Sequence, residues 1–168
     1  FWSSPPSVLA DQDPPNLPKL FAQLELAETP VQSQLLVQEI WSAWMEHANS
    51  VFTKQMQRGI DAISAGDLQR AEAAFSQLVN IAPDWAEAWN KRVTVRYYLG
   101  DLEGSANDIA ETRAREPRHF GALSGLGMIQ VRQEKFIEAL QTYERLQQIH
   151  PQAQDAQQLI PNLRQQAA

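Results

Sequence analysis

Three groups of residues have the types and spacing to do chemistry. Residues 116 to 127 read Glu-Pro-Arg-His-Phe-Gly-Ala-Leu-Ser-Gly-Leu-Gly, and Gly121, Gly125 and Gly127 within seven positions raise the question of a phosphate-cradling loop. Such a loop needs a preceding strand and a Gly-Lys-Ser or G-x-G-x-x-G spacing, whereas these glycines are four and two apart with helical sequence around them. Arg92 and Arg96, four apart, share one helical face and form a candidate anion or ion-pair site. His47, His119 and His150 are separated by 72 and 31 residues, with no His-x-x-x-His and no carboxylate at ligand spacing, and read as surface or capping histidines. No G-x-S-x-G elbow or distinctive carboxylate pair occurs, so no catalytic residue, metal or cofactor is assigned and the chain reads as a non-enzyme.

Bulk composition narrows the class. A length of 168 residues with 43% apolar content suffices for one core or a short repeat array. The formal charge of −6, with 14 scattered Lys and Arg, argues against a grip on nucleic acid. No apolar run has the roughly 18–20 residues that a membrane-spanning helix needs. The absence of cysteine removes disulfides, thiol catalysis and thiolate metal sites. The start at Phe1, with neither initiator Met nor cysteine, gives the expectation of an exported chain, periplasmic or organellar.

The elements that must position these residues are helices. Residues 1–18 carry Pro5, Pro6, Pro14, Pro15 and Pro18 and read as an extended tail or linker. From Leu20 onward apolar residues recur at three- and four-residue spacing, and strand signals are nearly absent. The dominant feature is a period of 34: Pro83, Pro117 and Pro151; Ala71, Ser105 and Ala139; Phe75, Ile109 and Tyr143; Leu78, Thr112 and Leu146. Gly66-Asp67 and Gly100-Asp101, with Glu134-Lys135 as a weaker copy, place a left-handed helix end and a helix cap between two helices.

This pattern resembles the tetratricopeptide repeat, a 34-residue helix-turn-helix unit, over residues 52–151. Trp89, Gly100, Asp101 and Pro117 fall in its columns in the second copy, and Leu126-Gly127, Ala139, Tyr143 and Pro151 in the third. The first copy keeps Gly59, Gly66, Ala71, Phe75 and Pro83. The implied fold is an all-α solenoid with repeats 52–85, 86–119 and 120–151. Residues 19–49 read as a degenerate repeat-like hairpin, with helices near 17–27 and 30–47, Thr29 as N-cap, and Val37, Trp41 and Trp44 in the columns of Ala71, Phe75 and Leu78. Residues 152–168 read as the capping helix, which Pro161 should kink or shorten, with a solvent face rich in Gln. Trp41/Trp44 and Trp85/Trp89 have the spacing of a buried stripe, Trp85 being the one expected to be most exposed. Arg113, Arg115 and Arg118 lie near a helix end, where cations complement its dipole.

The resemblance implies a concave binding surface on the first helix of each unit. It would be lined by Thr53, Met56, Ile60 and Ile63, then Glu87, Asn90, Thr94 and Tyr97, then Gly121, Ser124, Met128 and Val131. Such an apolar surface with a few hydrogen-bonding groups fits a peptide or helix of a partner protein. Gly121, Ser124 and Gly125 are expected to leave room on this wall for a partner's backbone, since helical glycines otherwise cost stability. The branch of the family that grips acidic chaperone tails does so with Lys, Asn and Arg. Met56, Ile60, Gly121 and Gly125 stand at corresponding positions, so that ligand is not expected. Arg92 and Arg96 replace a usual leucine and aromatic residue, which implies either an internal network with Asp108 and Glu111 or a site for a partner's carboxylate. An alternative function is self-assembly, the Pro-rich tail with Phe1, Trp2, Val8 and Leu9 filling a groove in its own chain or in a second copy.

Overall fold

The structure, a computed structural model, describes residues 16–168. The tail residues before Asn16, and with them the reading of that tail as a groove occupant or a route to homo-oligomers, lie outside the described residues. Among the described residues there are nine helices and no strand. Three pairs form the array: α3 (Ser50–Ser64) with α4 (Leu68–Ile81), α5 (Ala86–Leu99) with α6 (Leu102–Arg115), and α7 (Phe120–Arg132) with α8 (Phe136–Ile149). The second helix of each pair also packs on the first helix of the next, and α9 (Gln154–Gln166) closes the stack on α8. This is an α-solenoid of helix-turn-helix units.

The period has a local cause at each turn. Gly66 and Gly100 take φ of 75° and 84°, a left-handed conformation that spares a Cβ clash. Asp67 and Asp101 then cap the next helix, accepting from the Arg70 N–H at 3.0 Å and the Gly104 N–H at 2.9 Å. In the third unit Glu134 carries φ of 59°, and Lys135 supplies no side-chain cap, which is why that copy of the column is weak in sequence. Within the pairs, Gly59 lies on the Phe75 ring and Gly127 on the Tyr143 ring. Of the kink or shortening expected at Pro161, the shortening does not occur: α9 runs on to Gln166. Pro161 and Gln157, whose carbonyl loses its helical donor, are both exposed, on the side of the helix where solvent can replace that donor. Gln154, Gln157, Gln158, Gln165 and Gln166 are exposed along the same helix.

The N-terminal helices depart most from expectation. Leu17 already opens α1 (Leu17–Glu25), so the tail stops short of residue 18, and α2 (Pro30–Met45) begins behind Thr29, whose Oγ1 accepts from the Gln32 N–H at 3.2 Å. These two helices pack on each other, but they do not stack on α3 as a further unit. Their contacts with the array go mainly to α5, α7 and α8, across the connections that join one unit to the next, and Met45 at the end of α2 touches the cluster of the α3–α4 pair. Trp44 accepts at its carbonyl from the Trp85 indole N–H at 2.9 Å, and Phe21, Trp41 and Trp44 pack on Phe120. Ser33 Oγ meets His150 Nε2 at 2.7 Å, and the Gln152 amide donates to the carbonyls of Ala27 and Glu28 at 3.5 and 3.3 Å. The columns differ in volume: Val37 and Trp44 are larger than Ala71 and Leu78, which are sealed in the array core at the corresponding positions of the first repeat.

The glycine contacts predict opposite signs for two alanine substitutions. A Cβ at Gly127 would lie 2.6 Å from the Tyr143 ring, so Gly127→Ala should lower stability by about 1–3 kcal/mol. A Cβ at Gly125 would make ordinary contact with Ile109 and Val93 at 3.6 and 3.8 Å, so Gly125→Ala should raise it by about 0.5–1 kcal/mol. Thermal unfolding of both variants checks this; a Gly125→Ala variant as destabilised as Gly127→Ala would contradict it.

Candidate functional site

The connection before α7 fixes the first group of candidates. His119 is the N-cap: the Ala122 N–H donates to its Nδ1 at 3.1 Å. That nitrogen therefore carries no proton, and Nε2 is left to donate to Glu87 at 3.0 Å. Glu87 also accepts from the Asn90 amide at 3.1 Å and pairs with Lys91 at 3.2 Å. Burial pushes the Glu87 carboxyl up, but the hydrogen bond from His119, with the Lys91 charge and the Asn90 amide, outweighs this and holds it below the usual carboxylate range. The Trp44 ring stacks on the imidazole, 4.1 Å between centroids at 9°, with Trp41 edge-on at 5.4 Å. His119 is thus a capping histidine but not a surface one, being 0% exposed. A His–carboxylate pair could serve acid–base chemistry, yet here both imidazole nitrogens are bonded and the Trp44 ring covers the face, so the pair is structural.

The candidate groove residues divide into two sets. Met56, Glu87 and Asn90 are buried, Met56 in a cluster with Met45 of α2, so their side chains are part of the interior and not of an open wall. Gly121 does have room beside it, and α2 takes that room: a Cβ there would lie 2.9 Å from the Trp41 ring. Ser124 donates to Asp155 at the start of α9, and Gly125 faces Val93 and Ile109. The hairpin therefore covers the first turns of the concave helices. Farther along them Thr94 is exposed, Ile60, Ile63, Tyr97 and Val131 are half-buried, and Met128 is 45% exposed, with Arg132 over the Tyr97 ring at 5.8 Å.

The two arginines of α5 belong to an internal network. Arg92 makes a bidentate pair with Asp108, both bonds at 2.8 Å, and donates to Ser76 at 3.1 Å. Arg96 reaches Glu72 at 3.1 Å and Asp108 at 3.2 Å. The expectation named Asp108 and Glu111. Glu111 instead pairs with Arg115 one turn on at 2.6 Å, and Glu72 from the preceding unit takes its place. The anion-site alternative for Arg92 is thus closed by its own neighbours. Trp89 lies between Arg92 and Arg115 at 5.2 and 4.8 Å, and Arg118 covers Phe21 at 4.1 Å, so Arg115 and Arg118 do more than complement a helix dipole. Trp85, expected to be the exposed tryptophan, is buried because the hairpin lies over it.

All three histidines sit where the hairpin meets the array, which their sequence spacing did not signal. His47 packs against Phe52 and Trp85, and burial lowers its pKa. Burial likewise pushes His150 below its ordinary value of 6.5, with the Asp155 carboxylate partly opposing it. Among the described residues no group of three His, Cys, Asp or Glu side chains is placed to hold a metal ion.

Two measurements follow from these contacts. Arg92→Leu leaves Asp108 buried beside Arg96 alone and should cost about 3 kcal/mol, most of it recovered in Arg92→Leu/Asp108→Leu; unchanged stability in the single variant would remove the structural role. A base whose folded pKa lies below its unfolded one stabilises the fold fully above 6.5 and loses that contribution as pH falls through the lower folded value. The melting temperature should therefore drop in that window, and drop less for His150→Gln; an identical pH profile for the variant would contradict this.

Comparison with known proteins completes the picture. The sequence profile described as tetratricopeptide repeat matches residues 90–154. A TPR repeat-containing protein of Rhizobium etli is 31% identical over 144 residues, 86% of this chain and 71% of that protein. Tetratricopeptide repeat protein 36 of Mus musculus is 33% identical over 90 residues, 50% of this chain and under half, 46%, of the mouse protein. Among solved structures, the TPR2B domain of yeast Sti1 in complex with pHsp70 superposes with a TM-score of 0.63 at 16% identity, over 68% of this chain and 97% of that one. The first TPR of Spaghetti (RPAP3), bound to an HSP90 peptide, gives 0.66 at 18%, over 71% and 95%. At those identities the likeness is one of fold. The 34-residue period, the profile match and the Rhizobium relative agree, and the chain belongs to the tetratricopeptide repeat family.

Proposed function

We propose that this chain is a non-catalytic protein-interaction module that binds a peptide or helix of a partner protein on the concave side of its array. The observation that carries this reading is the uncovered stretch of α5 and α7. There Thr94, Tyr97 and Met128 present apolar area and a hydroxyl or two to solvent, beyond the reach of the hairpin. A thioether and a tyrosine ring suit an adaptable contact, because both bury area at modest conformational cost. The solved domains of the same fold were captured with Hsp70 and HSP90 peptides, which supports the mode of binding but not the ligand. Their acidic tails are not expected here, since Met56, Ile60, Gly121 and Gly125 offer no cation. An enzymatic reading finds no support at Glu87 and His119, the pair being sealed under Trp44.

Affinity capture with mass spectrometry, using the wild-type chain and Tyr97→Ala/Met128→Ala as bait in the source organism, tests the proposal. Met128→Ala, at an exposed side chain, should move stability by less than about 0.5 kcal/mol, and Tyr97→Ala, which also gives up packing on the Val93 and Ile109 cluster, should cost about 1–2 kcal/mol, while a partner held by the wild type should be depleted roughly tenfold with the double variant, as expected when contact area central to an interface is removed. Undiminished capture by a folded double variant would rule this surface out.

A further inference from the structure

The hairpin covers the first turns of the concave helices without filling the space beside them. Between α2 on one side and the starts of α7 and α9 on the other lies an open cleft of about 710 Å³. Gln34, Val37 and Trp41 form the α2 wall, and Ser124, Asp155 and Gln158 form the opposite one. Gly121 sets the width, because the missing side chain lets Trp41 settle close against α7. The volume is that of a pocket for a ligand of a few residues. Ser124 of the cleft and Met128 of the open concave stretch share one face of α7, four apart.

The lining has one sign of charge. Among the described residues no Lys or Arg lines the cleft. Lys91, over the Trp41 ring at 5.4 Å, is tied to Glu87 at 3.2 Å. His150 on the floor is bonded to Ser33, and its burial favours the neutral ring. That leaves Asp155, whose carboxylate is oriented by Ser124 through one oxygen and by the Ala156 N–H at 2.9 Å through the other. Each of those oxygens retains a lone pair for a further donor. A carboxylate held this way, across the cleft from an indole and a valine, has the makings of a cation site. The indole and valine take an aliphatic stem, the carboxylate takes the charged end, and exposed glutamine amides on both walls can meet peptide groups.

We propose that this cleft binds an extended segment of a partner protein through a Lys or Arg residue, the cation resting on Asp155 and its stem along Val37 and Trp41. This rests on the reading of the chain as a peptide-binding module and specifies the ligand: a basic segment, opposite in charge to an acidic tail. The hairpin is then a wall of the site.

Selection from a phage-displayed library of random nonapeptides on the full chain tests it. Peptides retained by the wild type should be enriched in Lys or Arg at one position. Binding of a selected peptide, followed by fluorescence anisotropy, should weaken about tenfold or more with Asp155→Asn, which keeps the size of the side chain and an oxygen for the Ala156 N–H while removing the charge. Replacing the selected Lys by norleucine, or Arg by citrulline, leaves the protein untouched and should weaken binding equally. Selected peptides that are neutral or acidic, or affinity indifferent to both changes, overturn the proposal. If Tyr97→Ala/Met128→Ala abolishes binding and Asp155→Asn does not alter it, the interaction reading stands and the cation cleft falls. If the wild type retains no peptide, both fall.

Discussion

The stack of the Trp44 indole on the His119 imidazole holds together parts of the chain that the repeat pattern alone would leave apart. His119 ends the link into α7, caps that helix and bonds Glu87 of α5, while Trp44 comes from α2, outside the array. One aromatic contact thus fastens two repeats and the hairpin to a single point. Burying the imidazole costs little because both of its nitrogens have partners, while the Trp44 indole N–H is buried with none among the described residues. Phe21, Trp41 and Phe120 extend the same cluster, and Ser33–His150 and Gln152 secure its far edge.

The second repeat follows a similar logic with charges. Where the family pattern expects a leucine and an aromatic side chain, Arg92 and Arg96 reach across to Glu72 and Asp108, joining the first and second units by ion pairs in place of apolar contact. Such pairs confer little net stability over well-packed hydrophobes, but they penalise any register that leaves one charge unpaired. In a solenoid, where each unit touches only its neighbours, that penalty helps to set which helix meets which.

The sequence made the array legible because its constraints are local and repeat. A left-handed glycine followed by a capping aspartate, and a small residue under an aromatic ring one helix later, recur at 34 residues and need no knowledge of distant parts. Where the structure departs from expectation, the determinant lies far away in the chain. Trp85 looked exposed since nothing near it in sequence covers it; the Trp44 carbonyl does. Glu111 looked as good a partner for the arginines as Asp108, but it faces Arg115 on its own helix. The position of His119 before a helix carries a capping signal, while its burial depends on α2. The candidate groove was read with the same blind spot: Met56, Glu87, Asn90 and Gly121 belong to the concave positions by register and are closed off by what packs on them.

The functional account depends on the hairpin lying across the inter-repeat connections, since that placement covers the first turns, leaves Met128 and the outer part of Tyr97 open to solvent and creates the cleft beside Trp41. The direct measurement is a set of nuclear Overhauser contacts to the Trp44 ring in the full chain. The account predicts cross-peaks from the indole protons to His119 and Phe120, with the His119 Hε1 resonance moved upfield by the stacked ring. Cross-peaks from Trp44 to the α3–α4 pair, as in a further stacked repeat, with His119 at an unstacked shift, would contradict it.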